Sequence, residues 1–124
     1  MTTSRILVVD DNLMNLELMR FVLSENDFEV ESAEHAREAL EKIPVFQPDL
    51  ILMDMHMPGM NGLELTQLIK ANPATRHIVI IAFTASAMQG DEECMMAAGC
   101  DGYLCKPIDV DTFSATVSAF LPAR

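Results

Sequence analysis

Two short stretches of this chain bring together residues that can do chemistry. Leu50-Ile51-Leu52-Met53-Asp54 runs straight into Met55-His56-Met57-Pro58-Gly59-Met60-Asn61-Gly62, and Ile6-Leu7-Val8-Val9 runs into Asp10-Asp11. Four apolar residues in a row read as a strand buried on both faces, the usual state of a strand in a parallel sheet covered by helices. That burial is expected to stop at Asp54. A carboxylate at the carboxyl end of such a strand, before a loop carrying Pro58, Gly59 and Gly62, sits where open α/β sheets place their ligand sites. If the two strands are parallel neighbours, Asp10, Asp11 and Asp54 meet at one edge of the sheet. Each close pair of unit charges costs on the order of 4 kcal/mol at an effective dielectric near 20, so the cluster needs a cation or raised pKa values. All-oxygen ligands around an open position suit Mg²⁺, which keeps waters and is often completed by a phosphate. Plainer readings stand beside this one: Asp54 merely ends a strand, and Asp10, Asp11 and Asn12 cap the following helix, as these residue types do. A cap uses one side chain, which leaves the second carboxylate unexplained.

Holding such a cluster takes a sheet and helices, and the chain supplies both in alternation. After the first strand, Leu13 to about Glu25 reads as a helix with Met14, Leu18, Phe21 and Val22 on one stripe. Phe28-Glu29-Val30-Glu31 alternates with period two, as a half-exposed strand toward the sheet edge does. His35 to Ile43 follows, with Ala36, Ala39, Leu40 and Ile43 on one face and Pro44 as its stop. The Asp54 strand begins after Pro48-Asp49. Asn61 can cap a helix from Gly62 to about Lys70 that packs through Leu65, Leu68 and Ile69 and is stopped by Asn72-Pro73. Ile78 to Phe83 is another buried run, ending at Thr84. A fourth helix is expected from about Gly90 to Ala98, stopped at Gly99. Gly102-Tyr103-Leu104-Cys105 makes a last strand before Lys106-Pro107, and Asp109 is the expected cap of a fifth helix whose stripe is Val110, Phe113, Val117, Phe120 and Leu121. This is βα repeated five times, and right-handed crossovers put all five strand C-termini on one edge.

Composition narrows the function. With 124 residues and 13.7 kDa the chain suits a single domain over 1–124. Eight basic against nineteen acidic residues give a net charge of −11, which argues against a nucleic-acid binder and against an anionic membrane surface. Cys94, Cys100 and Cys105 are odd in number and lack C-x-x-C spacing, so neither a disulfide framework nor a zinc site is indicated, and buried reduced thiols in a cytoplasmic protein are expected. Neither a signal peptide nor an 18-residue apolar span is present. The ten methionines read as gap-filling, since thioethers do not suit a hard cation. His35 and His77 are expected at the surface.

The polar residues that fall at the strand tips are Asp10, Asp11, Asp54, Thr84 and Lys106. A lone threonine after a strand is usually a turn residue and a lone lysine is usually solvated, but their joint occurrence in this order is informative. At this point the chain resembles the receiver domain of two-component response regulators over nearly its whole length. The matching pieces are Val-Val-Asp10-Asp11-Asn12, the Asp54 strand with its Met-His-Met-Pro58-Gly59-Met-Asn-Gly62 loop, Phe-Thr84-Ala85 and Lys106-Pro107. The segment from Thr84 to Glu93 also looks like single-domain cell-division receivers of the DivK type and like receivers attached to hybrid histidine kinases.

The resemblance implies a flavodoxin-like (βα)5 fold with a parallel five-stranded sheet of order 2-1-3-4-5 and helices on both faces. It implies that Asp54 accepts a phosphoryl group from a phosphohistidine on a histidine kinase or histidine phosphotransfer protein. Asp11, Asp54 and the backbone carbonyl of His56 would bind Mg²⁺ directly, with Asp10 reaching it through water. Lys106, the Thr84 hydroxyl and the Ala85 backbone N–H would hold phosphoryl oxygens, and the Lys106-Pro107 bond is usually cis in the family. Thr84 and Tyr103 would form the switch, although Tyr103 also reads as a partly exposed residue covering the last strand. The output surface would be helix 4, strand 5 and helix 5, where Met88, Met95 and Met96 offer adaptable contacts to a downstream protein. His56 and Ser86 overlook the phosphoryl position and would set its hydrolysis rate. Such a protein is no enzyme beyond its own phosphorylation and dephosphorylation. Two other classes remain: a phosphatase using an Asp nucleophile, whose Asp-x-Asp on the first strand is absent here, and a non-phosphorylated pseudo-receiver scaffold, which the intact Asp10, Asp11, Asp54, Thr84 and Lys106 set disfavours.

Overall fold

The computed structural model describes residues 4–26, 28–54, 62–84, 93, 96–105 and 111–121. Five strands, β1 (Arg5–Val9), β2 (Glu29–Ala33), β3 (Leu50–Asp54), β4 (Val79–Thr84) and β5 (Gly102–Cys105), form one sheet of order β2-β1-β3-β4-β5. Every pairing is parallel. The helices are α1 (Leu13–Glu25), α2 (Ala36–Phe46), α3 (Gly62–Ala71) and a C-terminal helix, Phe113–Phe120. Residues 93 and 96–98 are helical where a fourth helix is expected; its start near Gly90 lies outside the described residues. Gly99 has φ of +112°, the left-handed turn that ends helices and that glycine adopts without strain.

The central strands are apolar because both their faces are covered. Successive side chains point to opposite sides of a sheet. Ile6, Val8, Leu50 and Leu52 pack with Leu16, Met19 and Leu23 of α1 and with Phe113 and Val117 of the C-terminal helix. On the other side Leu7, Val9, Ile51 and Met53 pack with Ala36, Ala39 and Ile43 of α2 and with Leu65 and Ile69 of α3. β2 lies at the edge, as its alternation predicts, and Lys42 blunts it. The Lys42 ammonium lies 3.2 Å from Glu31 and 3.2 Å from Glu38 and donates to the Ser32 carbonyl. The Glu31 carboxyl is held below the usual range chiefly by the Ser32 N–H, and Glu38 chiefly by the Glu34 N–H, with Lys42 assisting both against the cost of burial. Among the described residues no helix is long and apolar enough to cross a membrane.

Several expected faces need correction. In α1 the buried residues are Leu16, Met19, Val22 and Leu23, while Met14, Leu18 and Phe21 are exposed. Apolar residues surround this helix, so two stripes of helical spacing interleave and periodicity does not choose between them. Pro44 lies inside α2, which runs on to Phe46. Proline removes only its own N–H, and the Leu40 carbonyl it forgoes lies on the solvent side, where Leu40 and Pro44 are exposed. His35 is the N-cap of α2, its Nδ1 accepting from the Glu38 N–H at 3.1 Å, and it is exposed, as is His77. In α3 Leu68 is exposed and Thr66 is fully buried in its place; Asn61, its expected cap, lies outside the described residues. Thr112, not Asp109, occupies the N-cap position of the C-terminal helix. Asp109, Asp111 and Thr112 are all cap formers, so residue type alone does not single one out; Asp109 and Val110 lie outside the described residues. Cys100 is buried and reduced, with burial pushing its thiol pKa up, while Cys94 and the Cys105 side chain lie outside.

Candidate functional site

The sheet register delivers the acidic residues to one place. Val9 pairs with Met53, so Asp10, the next residue, lies level with Asp54 at the end of β3. Asp54 pairs with Phe83, which puts Thr84 one step beyond it on the neighbouring strand. One oxygen from each of Asp10, Asp11 and Asp54 falls within 4.8 Å of the others. Three carboxylates in so small a volume form an all-oxygen donor set, the kind that hard divalent cations take. The residues fit such an ion.

Burial at the site differs from the expectation. Asp54 is only 2% exposed, and Asp10 and Thr84 are as deeply buried; Asp11 alone of the three carboxylates is exposed. β3 is the middle strand, so its last residue still has β1 on one side and β4 on the other. Burial therefore includes Asp54 itself.

The local chain explains how Asp10 tolerates this position. Its backbone N–H donates to the Ala33 carbonyl at 3.1 Å, prolonging the β1–β2 ladder by one rung. Its Oδ1 accepts the Asn12 backbone N–H at 2.9 Å, and its Oδ2 accepts the Asn15 side-chain amide at 3.1 Å. Asn12 Oδ1 in turn accepts the N–H groups of Met14 and Asn15, at 2.9 and 3.2 Å. Asn12 is thus the N-cap of α1, and neither Asp10 nor Asp11 is needed for that task. The capping alternative is settled by assigning it to the third residue of the motif. Asn15 escaped the sequence reading, although an amide side chain three residues after a capping Asn could have flagged it.

Tyr103 is partly buried against the α2–α3 side of the core, on β5 level with Ala82. Met96 is exposed. His56, Ala85, Ser86, Met88, Met95, Lys106 and Pro107 lie outside the described residues.

Residues 6–118 match the family model of the response regulator receiver domain. The chain belongs to that family. The receiver is 40% identical over 119 residues to the polar-differentiation response regulator DivK of Brucella ovis, covering 96% of this chain and 97% of that one. The DivK of Brucella anthropi is 40% identical over 116 residues, 94% of each chain. Among solved structures, the chemotaxis protein CheY4 of Vibrio cholerae superposes with a TM-score of 0.92 at 28% identity, covering 97% of this receiver and all of that chain. A CheY-like response regulator receiver domain protein from Methanospirillum hungatei superposes at 0.85 with 30% identity, covering 95% and 93%. The flavodoxin-like topology of order 2-1-3-4-5 is therefore that of a two-component receiver.

Proposed function

We propose that this chain is one receiver domain over 1–124 in which Asp54 accepts a phosphoryl group from a phosphohistidine on a histidine kinase or a histidine phosphotransfer protein. The convergence of Asp10, Asp11 and Asp54 at the ends of adjacent strands carries the reading. In the transfer, a P–O bond forms to the Asp54 carboxylate as the P–N bond to the imidazole breaks. A carboxylate is a poor nucleophile toward an anionic phosphoryl group unless charge is neutralised and the partners are held in line. A bound Mg²⁺ supplies that neutralisation. Asp11, Asp54 and the His56 carbonyl would hold it, with Asp10 acting through water.

The chain's own groups do the rest. Lys106 pairs with one phosphoryl oxygen, and the Thr84 hydroxyl and Ala85 N–H donate to others. Thr84 already stands one residue past Asp54 on the next strand. Its inward movement with Tyr103 would shift the surface of the fourth helix, β5 and the C-terminal helix toward a downstream target. No turnover of an external substrate follows; the protein promotes only its own phosphorylation and dephosphorylation, with His56 and Ser86 setting the rate of the latter. A cytoplasmic location goes with a donor charged from ATP, and no nucleic-acid or membrane contact is needed.

The donor's docking site is read from α1. Met14 and Phe21 are 79% and 65% exposed, and Leu13 and Leu18 extend the same apolar face. The helix starts two residues after Asp11, so a protein bringing a phosphohistidine to Asp54 meets this face. Met14→Ser with Phe21→Ser should slow transfer from a phosphohistidine protein at least about ten-fold more than labelling by a small phosphodonor, since full burial of even one side chain of this size contributes ~1.5–3 kcal/mol and ~1.4 kcal/mol is a factor of ten.

The central test is to incubate wild type and Asp54→Asn with a small phosphodonor, with and without Mg²⁺, and to weigh the intact protein. One phosphoryl group on wild type alone, dependent on metal and labile to hydroxylamine, is the expected result. No labelling by any donor would make the chain a scaffold.

A further inference from the structure

The first turn of α1 departs from the usual capping arrangement in an informative way. In a capping box the residue three positions after the N-cap is Glu or Gln, and its side chain reaches back to the N-cap backbone N–H. Here the N-cap is Asn12, and its N–H is already taken by Asp10 Oδ1 at 2.9 Å. The residue three positions on is Asn15, and its side chain reaches past the cap to Asp10 Oδ2 at 3.1 Å. The group it meets is a carboxylate with two further carboxylates within 4.8 Å. A glutamate here would add a fourth negative charge; an amide adds an N–H donor and no charge. Its other contact, backbone N–H to Asn12 Oδ1 at 3.2 Å, locks Asn15 to the same turn.

We infer that Asn15 is a positioning residue for cation binding: its side-chain amide fixes the rotamer and plane of the buried Asp10 carboxylate. Each Asp10 oxygen thereby receives one N–H donor from the helix start, Oδ1 from Asn12 and Oδ2 from Asn15. The residues that start α1 are thus the same ones that orient Asp10. A carboxylate free to rotate about its Cα–Cβ and Cβ–Cγ bonds would have to be ordered when the ion arrives, at a cost to affinity. Partners of a direct metal ligand typically matter by about ten- to a hundred-fold in metal affinity; Asp10 would reach the ion through water, so Asn15 stands one step further out and the low end of that range is expected. This inference rests on the proposed role of the Asp10, Asp11 and Asp54 cluster as a Mg²⁺ site.

The test is calorimetric titration of Mg²⁺ into wild type, Asn15→Ala and Asn15→Leu, with the metal-free melting temperature of each recorded alongside. Alanine removes the side-chain donor and leaves the backbone bonds of the turn; leucine keeps the bulk and donates nothing, so the pair guards against failure of either variant to fold. The expected result is a Mg²⁺ affinity lowered up to about ten-fold in both variants, with melting temperatures within a few degrees of wild type. Affinities equal to wild type, or losses that merely follow a fall in melting temperature, would overturn the inference. Failure of wild type itself to bind Mg²⁺ would refute the cluster's role and the inference with it, which keeps the two outcomes apart.

Discussion

The two ends of the sheet use aspartate in opposite ways. At the amino-terminal edge Asp49 and Asp101 are engaged by donors of the fold itself. Asp49 accepts the Arg5 backbone N–H at 2.8 Å. Asp101 Oδ2 accepts both the Ile80 backbone N–H at 2.8 Å and the Lys70 ammonium at 3.0 Å. Lys70 also donates to the carbonyls of Ile78 and Arg76, so one lysine clamps the end of α3, the start of β4 and the approach to β5. At the carboxyl-terminal edge Asp10 also accepts donors of the fold, from Asn12 and Asn15, yet Asp10, Asp11 and Asp54 are gathered there within 4.8 Å of one another. Identical side chains thus stabilise one edge and load the other with like charge. Bonds to the fold's own donors occur at both edges, so what sets the carboxyl-terminal edge apart is the gathering of three carboxylates, an all-oxygen set suited to a hard divalent cation.

That contrast can be broken by substitution at either end. The largest effect is expected from Asp11→Asn, which should lower Mg²⁺ affinity by more than the ~10- to 100-fold typical of an outer partner, as read by calorimetry. Next comes Asp101→Ala at the other end. It strips acceptors from the Lys70 ammonium and the Ile80 N–H and should cost about 1–2 kcal/mol of unfolding free energy in urea titration, while Mg²⁺ affinity stays at the wild-type value. The smallest effect is the sharpest in sign. Without metal, Asp11→Asn should raise stability by up to ~1 kcal/mol, because it relieves repulsion at a solvent-facing position. If both edges lost stability on removal of a carboxylate, the contrast would fail.

Much of this was legible from residue order. The runs Ile6 to Val9, Leu50 to Met53 and Ile78 to Phe83 are apolar throughout because their strands are covered on both sides, and that signal is hard to mistake. The acidic tips followed from parallel topology alone. Facing was harder to read. In α1 the alternatives Met14-Leu18-Phe21 and Leu16-Met19-Leu23 both have helical spacing, and only packing against the sheet shows which set turns inward. In α3 the buried Thr66 has its hydroxyl near the Cys100 thiol, 3.9 Å away, a contact between residues far apart in the chain that a helical stripe does not foretell. Pro44 read as a stop because its solvent-side position could not be known. The depth of Asp54 was missed because burial depends on which strands flank it, a property of the sheet and not of the strand. Asn15 was only half legible for a related reason: its spacing from Asn12 marks it as a helix-start residue, but its partner is Asp10, and that bond exists only once the helix has turned.

Asp54 is the proposed phosphoacceptor, and every other proposed role at the site depends on it. Borohydride reduction of protein treated with a small phosphodonor and Mg²⁺ converts an aspartyl phosphate to homoserine, which peptide mass mapping then locates. Homoserine at position 54 and at no other is the predicted result. A map that placed it at Asp10 or Asp11, or a phosphoryl group left on a serine, threonine or histidine, would contradict it.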